Sequence, residues 1–169
     1  MNYKKKMSLI KDIKDDEKYF LYGKVYCPLF EKDIKIAIEK EAGIAYAEKC
    51  VEHQVHLDEK LINKICERVS AYHQFMLDEW NEEFVQEINE KVPKDVSGRE
   101  ILKYITNPEL IIYQPKEGCK GIGYTIAGNC EWEPEHGIDI IIRDDALLYV
   151  GPSECLGSWA DDDEYEVFF

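Results

Sequence analysis

Long apolar runs are absent from this sequence: no window reaches the roughly 18 apolar residues that a membrane-spanning helix requires. A secretory signal is missing as well, because the short stretch Met7-Ser8-Leu9-Ile10 is followed at once by Lys11 and Asp12. We therefore expect a soluble protein that stays in the cytoplasm and does not associate with membranes.

Basic residues are scarce relative to acidic ones. The 169 residues include 21 lysines and arginines against 35 aspartates and glutamates, a formal net charge of −14. Such a surface repels phosphate backbones, so we expect no nucleic-acid partner. The dense basic run Lys4-Lys5-Lys6 is typical of a solubilising chain end. The acidic balance fits either plain solubility or a basic protein partner, which such a field attracts.

Recognised catalytic and metal-binding motifs are also missing. The six cysteines form no Cys-x-x-Cys pair, which argues against a zinc ribbon or a thioredoxin-type site. Cys50, Cys66 and Cys130 lie in apolar contexts and are predicted to be small buried thiols. There is no Gly-x-Ser-x-Gly, and the glycine-rich stretch 118–123 precedes a predicted strand, not a helix, so it is not a phosphate loop. We predict no cofactor and no metal.

Enough apolar material is present for one folded domain, since 45% of the residues are hydrophobic. We place a flexible polar segment at 1–17, a single domain at 18–160 and an acidic, aromatic tail at 161–169. Residues 19–25 are aromatic and β-branched, and residues 32–38 alternate between apolar and charged, which predicts a β-hairpin.

Helical periodicity begins after Gly43 and is interrupted at 53–57. Asp58 is a candidate N-cap, and apolar residues then recur at helical spacing over 58–80, with the pattern extending to Ile88. Ser97-Gly98-Arg99-Glu100 resembles a capping box and predicts a short helix. Strands are predicted at 110–113, 122–130, 138–142 and 147–150, and their short spacing favours an antiparallel meander. The fold class predicted is α+β, with an antiparallel sheet covered by the long helix.

The densest candidate for chemistry is the predicted loop Cys130-Glu131-Trp132-Glu133-Pro134-Glu135-His136-Gly137. Histidine side chains in general change charge near neutral pH, so His136 could act as a general base or metal ligand, with neighbouring glutamates and Glu135 in particular as partners. The competing interpretation is a structural loop, with Trp132 covering the end of the sheet. The candidate binding residues are Trp132, Glu135, His136 and Trp159.

Other polar clusters are weaker candidates. His53 and His56 stand three residues apart, a spacing that could hold a metal on a helix, but a polar helix end is the preferred explanation. His73 falls between core positions of the long helix. The acidic run 161–164 lacks the ligand spacing of an EF-hand and indicates a solvated tail. Phe168 and Phe169 are expected either to pack on the core or to dock on a partner.

One resemblance emerges from the C-terminal half. Residues 130–138, followed by Ile142-Arg143-Asp144 and Leu148-Tyr149-Val150-Gly151-Pro152, resemble a group of uncharacterised bacterial proteins with a Cys-x-Trp-x-x-Glu-His-Gly turn. The resemblance covers roughly residues 19–160. It implies a domain of unknown function, likened to immunity proteins of toxin systems, and it brings no catalytic residues.

Three functional hypotheses follow. The first is a non-enzymatic binding protein of the immunity or antitoxin type that neutralises a basic, toxin-like protein partner. The second is a small hydrolase-like or metal-dependent enzyme centred on His136. The third is a structural domain that forms homodimers through Trp159, Phe168 and Phe169.

Overall fold

Alternating apolar residues and β-branched runs build one sheet in the part of the chain that the computed structural model describes, residues 8–15, 18–167 and 169. Each strand lies beside the strands that precede and follow it in the chain. The strands are β1 (Lys11–Lys14), β2 (Phe20–Cys27), β3 (Lys32–Glu39), β4 (Ile105–Ile112), β5 (Gly123–Cys130), β6 (Glu133–Arg143) and β7 (Ala146–Gly151). All neighbours are antiparallel except β3 and β4, which are parallel.

The helices lie between β3 and β4, where a parallel connection needs a long crossover. They are α1 (Ile44–Val55), α2 (Glu59–Glu79) and α3 (Glu82–Lys91), with 3₁₀ helices at Lys40–Ala42 and Gly98–Tyr104. A further 3₁₀ helix, Asp162–Tyr165, follows the sheet. The predicted α+β class is confirmed. None of the helices in the described residues is both long and apolar enough to cross a membrane.

The main core lies between one face of the sheet and the helices. Ile34, Ile36 and Ile38 of β3 are buried at every second position, and they share one apolar cluster with the buried residues of α1 and α2. Ile141 of β6 points to the opposite face because it stands between two core residues. There it forms a smaller cluster with Tyr149 and Tyr165, which the chain after β7 covers.

Two helix boundaries differ from those expected. The break predicted at 53–57 begins only at His56, the C-cap of α1. The pattern predicted to run on from 58–80 to Ile88 is divided, because Trp80 has extended backbone and Asn81 caps a new helix, accepting a hydrogen bond from the Phe84 N–H at 3.0 Å. The helix over 58–80 is otherwise confirmed as α2.

The stretch 130–137 is not the loop that the sequence analysis expects. Only Glu131 and Trp132 separate β5 from β6, and Glu133 already begins a strand. The pairing of β5 with β6 shifts register between Gly128 and Cys130, so a bulge accommodates the polar residues.

The N-terminal segment contains a strand that the sequence analysis does not expect. Lys11–Lys14 form strand β1 inside the segment 1–17, for which no regular structure is expected. Lys4, Lys5 and Lys6, like Phe168, lie outside the described residues.

Candidate functional site

The Glu-His-Gly turn is organised by the carboxylate of Glu133, which is 7% exposed. Its Oε1 accepts a hydrogen bond from the Glu135 N–H at 3.1 Å. Its Oε2 accepts one from the His136 N–H at 2.8 Å and lies 3.1 Å from Nδ1 of the His136 ring. The buried carboxylate thereby fixes the backbone of the turn and one edge of the imidazole.

Gly137 completes the turn at a position that has no room for a side chain. Its φ of +67° lies in the left-handed region, and a Cβ at this position would overlap the carbonyl oxygen of Gly128. Its own carbonyl accepts a hydrogen bond from the Tyr72 hydroxyl at 3.3 Å, which ties β6 to α2.

A cavity of about 480 Å³ opens between α2, the start of β6 and the residues after β7. This volume is within the range of small-ligand pockets, which is about 300–1,000 Å³. Six aromatic side chains line it: Tyr72, Phe75, Trp80, Phe84, Tyr149 and Phe169. Four carboxylates line it as well: Glu133, Glu135, Glu154 and Glu166. We call it the aromatic–acidic cavity. Among the residues that the structure describes, its lining includes His136 but neither lysine nor arginine.

The aromatic rings form two groups. Phe169 stacks on Tyr72 with ring centres 5.2 Å apart and planes 12° apart, and it also contacts Phe75 at 5.2 Å. Trp80 and Phe84 lie 5.0 Å apart at the junction of α2 and α3. Trp80 is 51% exposed, so its ring is open to solvent or to a partner. Exposed indole rings are frequent anchors in binding sites.

The rim of the cavity carries negative charge without a neutralising partner. Glu135, Glu154 and Glu166 are exposed, and they form no ion pair with any residue that the structure describes. Some surface carboxylates elsewhere have partners, for example Asp162 with Arg143 at 2.6 Å, whereas others, such as Glu48 and Glu67, form no ion pair with a described residue. What sets the three rim carboxylates apart is therefore their position around one cavity.

The charge of Glu154 acts on two tyrosines of the cavity wall. Burial raises the pKa of the Tyr72 phenol, and the charges of Glu133 and Glu154 add to the effect. Burial likewise raises the pKa of Tyr149, again with a contribution from Glu154. Both hydroxyls are therefore neutral at neutral pH, and the negative charge of the cavity comes from its carboxylates.

The structure brings together some of the predicted site residues and separates others. Glu135 and His136 both line the aromatic–acidic cavity. Trp132 is fully buried and packs edge-to-face on Tyr72 at 6.0 Å, so it supports the wall from behind and cannot itself contact a ligand. Trp159 lies apart, beside Gly123 and 6.0 Å from the Arg143 guanidinium.

The other histidines make separate contacts. His53 Nδ1 lies 2.9 Å from the Tyr124 hydroxyl, and its Nε2 lies 3.0 Å from Asp145 Oδ1. His56 Nδ1 lies 2.7 Å from the carbonyl oxygen of Glu52. Within the described residues, neither of these two histidines belongs to a group of three possible metal ligands. His73 is 2% exposed, and burial lowers the pKa of its imidazole.

One group of side chains has the composition of a metal site. Donor atoms of Glu133, Glu135 and His136 lie within 4.8 Å of one another, and the sequence analysis predicts no metal here. The carboxylate of Glu133, however, already accepts two backbone N–H groups. A metal would have to compete with those hydrogen bonds.

Sequence reasoning missed most of the aromatic wall. Tyr72 and Trp80 carry a helical signal, but that spacing indicates core packing and not a cavity. Phe169 was expected to pack on the core or dock on a partner, and it packs on α2. Glu154 and Glu166 have no local pattern that sets them apart from other surface carboxylates.

Comparison with known protein families identifies the family of the chain. The model of a domain of unknown function, DUF6985, matches residues 9–157. The chain belongs to this family. No curated protein and no solved structure matches the chain. The DUF6985 match includes all seven strands and the walls that α2, β6 and β7 contribute to the cavity. The remaining wall, formed by Glu166, Val167 and Phe169, lies beyond the matched residues.

Proposed function

We propose that this DUF6985 domain is a binding protein without enzymatic activity, and that its partner is a basic protein. The observation that carries the proposal is the aromatic–acidic cavity, with three rim carboxylates that no described residue neutralises. A basic segment would provide the missing charges, and the net charge of −14 would attract it from a distance.

The first test is calorimetric titration with a synthetic basic peptide of mixed lysines and arginines. We expect the triple variant Glu135→Gln, Glu154→Gln, Glu166→Gln to bind about tenfold more weakly, because exposed charge pairs each contribute up to about 1 kcal/mol. The matched control is Glu48→Gln, Glu67→Gln, Glu117→Gln, which removes three exposed carboxylates outside the cavity. An equal loss of affinity in both triple variants would mean that the cavity is not the binding site for the peptide.

The specific role is an immunity protein of a bacterial toxin system, acting in the cytoplasm. Its support is the resemblance of residues 130–152 to proteins likened to that class, together with the acidic charge. A toxin encoded beside this gene should form a complex with the wild type and with the control variant, but not with the cavity variant. The role is excluded if the neighbouring gene products do not bind.

A second candidate function is a small hydrolase-like or metal-dependent enzyme, favoured by the cluster of Glu133, Glu135 and His136 at the cavity wall. Its test is titration with Zn²⁺ and Mn²⁺ alone. His136→Ala should abolish binding of a functional metal, whereas His56→Ala, an exposed histidine outside the cavity, should not. Unchanged metal binding in His136→Ala would exclude this function.

A further inference from the structure

Four aromatic rings of the aromatic–acidic cavity, Phe75, Trp80, Phe84 and Phe169, are exposed or partly exposed and lie in the same lining as the rim carboxylates, whereas Tyr72 and Tyr149 are buried. Trp80 and Phe84 form one ring pair, and Tyr72, Phe75 and Phe169 form a second group in the same lining. Rings of this kind attract cations placed over their faces, with tryptophan the strongest. The carboxylates of Glu135, Glu154 and Glu166 add charge and hydrogen-bond acceptors at the rim.

Either a lysine ammonium or an arginine guanidinium of a partner could enter the cavity, and the lining favours one of them. An ammonium is a compact, strongly hydrated point charge that loses much solvation on entering an apolar cavity. A guanidinium is planar and weakly hydrated, stacks on aromatic rings, and reaches a carboxylate with two parallel N–H groups. The accessible aromatic rings and the three rim carboxylates therefore match the guanidinium better than the ammonium.

The chain already uses this contact at its own surface. The guanidinium of Arg68 lies 5.6 Å from the centre of the Phe169 ring, at the edge of the same aromatic group. The guanidinium of Arg143 lies 5.9 Å from the Tyr165 ring and 2.6 Å from Asp162, so ring and carboxylate act on one arginine.

We propose that the aromatic–acidic cavity is the anchoring site for an arginine side chain of the basic partner, held between Trp80 and the rim carboxylates. This inference rests on the proposed function and names the group that the site recognises. Lysines of the partner would interact with the outer acidic surface, where the attraction depends only on charge. The arginine of the partner adds stacking on an aromatic ring and paired hydrogen bonds to a carboxylate.

The test compares three synthetic peptides of equal length, oligo-arginine, oligo-lysine and oligo-citrulline, by isothermal titration calorimetry against the full chain. We expect oligo-arginine to bind at least about tenfold more tightly than oligo-lysine. Oligo-citrulline keeps the planar group but lacks the charge, so it should not bind measurably.

The variant Trp80→Leu should bring the arginine peptide down to the affinity of the lysine peptide. Trp80 is half-exposed and lies between two helices, so its replacement should leave the fold intact. The matched control is Tyr26→Leu, which removes an aromatic ring of 45% exposure from β2, away from the cavity. The control should retain the preference for arginine.

The outcomes separate the two proposals. Equal affinity for arginine and lysine peptides overturns the arginine site but leaves the basic partner standing. A preference for arginine that survives Trp80→Leu also overturns it, because the selecting contact is then elsewhere. Failure of both charged peptides to bind overturns the proposed function together with this inference.

Discussion

Exposure divides the six cysteines into two groups. Cys119 and Cys155 are exposed, whereas the other four are buried, as predicted for Cys50, Cys66 and Cys130. Burial raises the pKa of Cys27 to about 11 and that of Cys130 to about 12. Thiolates are the reactive form, so these buried thiols combine poor access with little ionisation.

We expect iodoacetamide at about pH 8 to modify two cysteines in the native protein, Cys119 and Cys155. Peptide mass spectrometry identifies the labelled positions. The denatured chain is the control and should be labelled at all six. Rapid native labelling of Cys27 or Cys130 would show that the core around them opens.

Asp139 is the buried acid whose titration should affect stability. It is 4% exposed in β6, and burial raises the pKa of its carboxyl above the ordinary value of 3.8. The folded state therefore holds the proton more tightly than the unfolded chain. Its contribution to stability is complete below the ordinary pKa and is lost as the pH rises through the raised one.

Asp139→Asn should accordingly raise the free energy of unfolding at neutral pH and flatten its pH dependence above about pH 4. Urea denaturation at several pH values measures both effects. Asp163→Asn, at an exposed position, should change neither. A less stable Asp139→Asn protein at neutral pH would mean that the ionised carboxylate is favourable where it lies.

At the scale of elements, the two predicted helix starts differ in how they are capped. Asp58 Oδ1 accepts a hydrogen bond from the Leu61 N–H at 2.7 Å and caps α2. Ser97 makes no side-chain capping bond, so the predicted capping box does not form, and residues 98–104 wind into a 3₁₀ helix. The backbone geometry decides whether a suitable residue becomes a cap.

Asp58→Ala should lower the free energy of unfolding by about 1 kcal/mol, because an N–H at the start of α2 loses its acceptor. Ser97→Ala is the paired control and should cost much less. Thermal or urea unfolding followed by circular dichroism measures both. Equal losses would indicate that Ser97 stabilises the fold by a contact other than capping.

Sequence periodicity predicted the elements whose signals are local. Alternation located β3, and helical spacing together with Asp58 located α2. It failed at 133–137, where polar residues with Pro and Gly suggest a loop, because the bulge between Gly128 and Cys130 depends on the partner strand. Periodicity also missed the boundary between α2 and α3 at Trp80. The apolar pattern continues through this residue, but its backbone is extended and the helix ends there.

The candidate site was predictable only where its residues are neighbours in sequence. Glu135 and His136 belong to one short motif, and both were named. The aromatic wall joins α2, the α2–α3 junction and Phe169, which tertiary packing alone brings together. Trp132 was named as a binding residue from the same motif, but its complete burial gives it a supporting position.

At the scale of the whole molecule, the homodimer hypothesis depends on where the last aromatic residues lie. Phe169 is partly buried against Tyr72 and Phe75 of its own chain, and is therefore less available to a second copy. Phe169→Ala should cost about 2 kcal/mol of stability. Light scattering should give the same molar mass for the variant and the wild type. A lower molar mass for the variant than for the wild type would support the homodimer hypothesis.

Global charge and the local cavity should act on different rate constants. The net charge of −14 sets the long-range attraction of a basic peptide, so the association rate constant should fall by tenfold or more as salt screens that field. The cavity variant and its control each lack three carboxylates, and should therefore slow association to a similar degree. Dissociation depends on close contacts, so only the cavity variant should release the peptide faster.

Stopped-flow measurements over a range of ionic strength separate these effects for the wild type and both triple variants. Dissociation that is unchanged when Glu135, Glu154 and Glu166 are replaced would mean that the peptide is held by the field of the whole surface. Faster dissociation in the cavity variant alone places the close contacts at these three carboxylates, since the two variants have the same net charge. The kinetic comparison thus distinguishes a site from an acidic surface, which affinity at a single salt concentration does not.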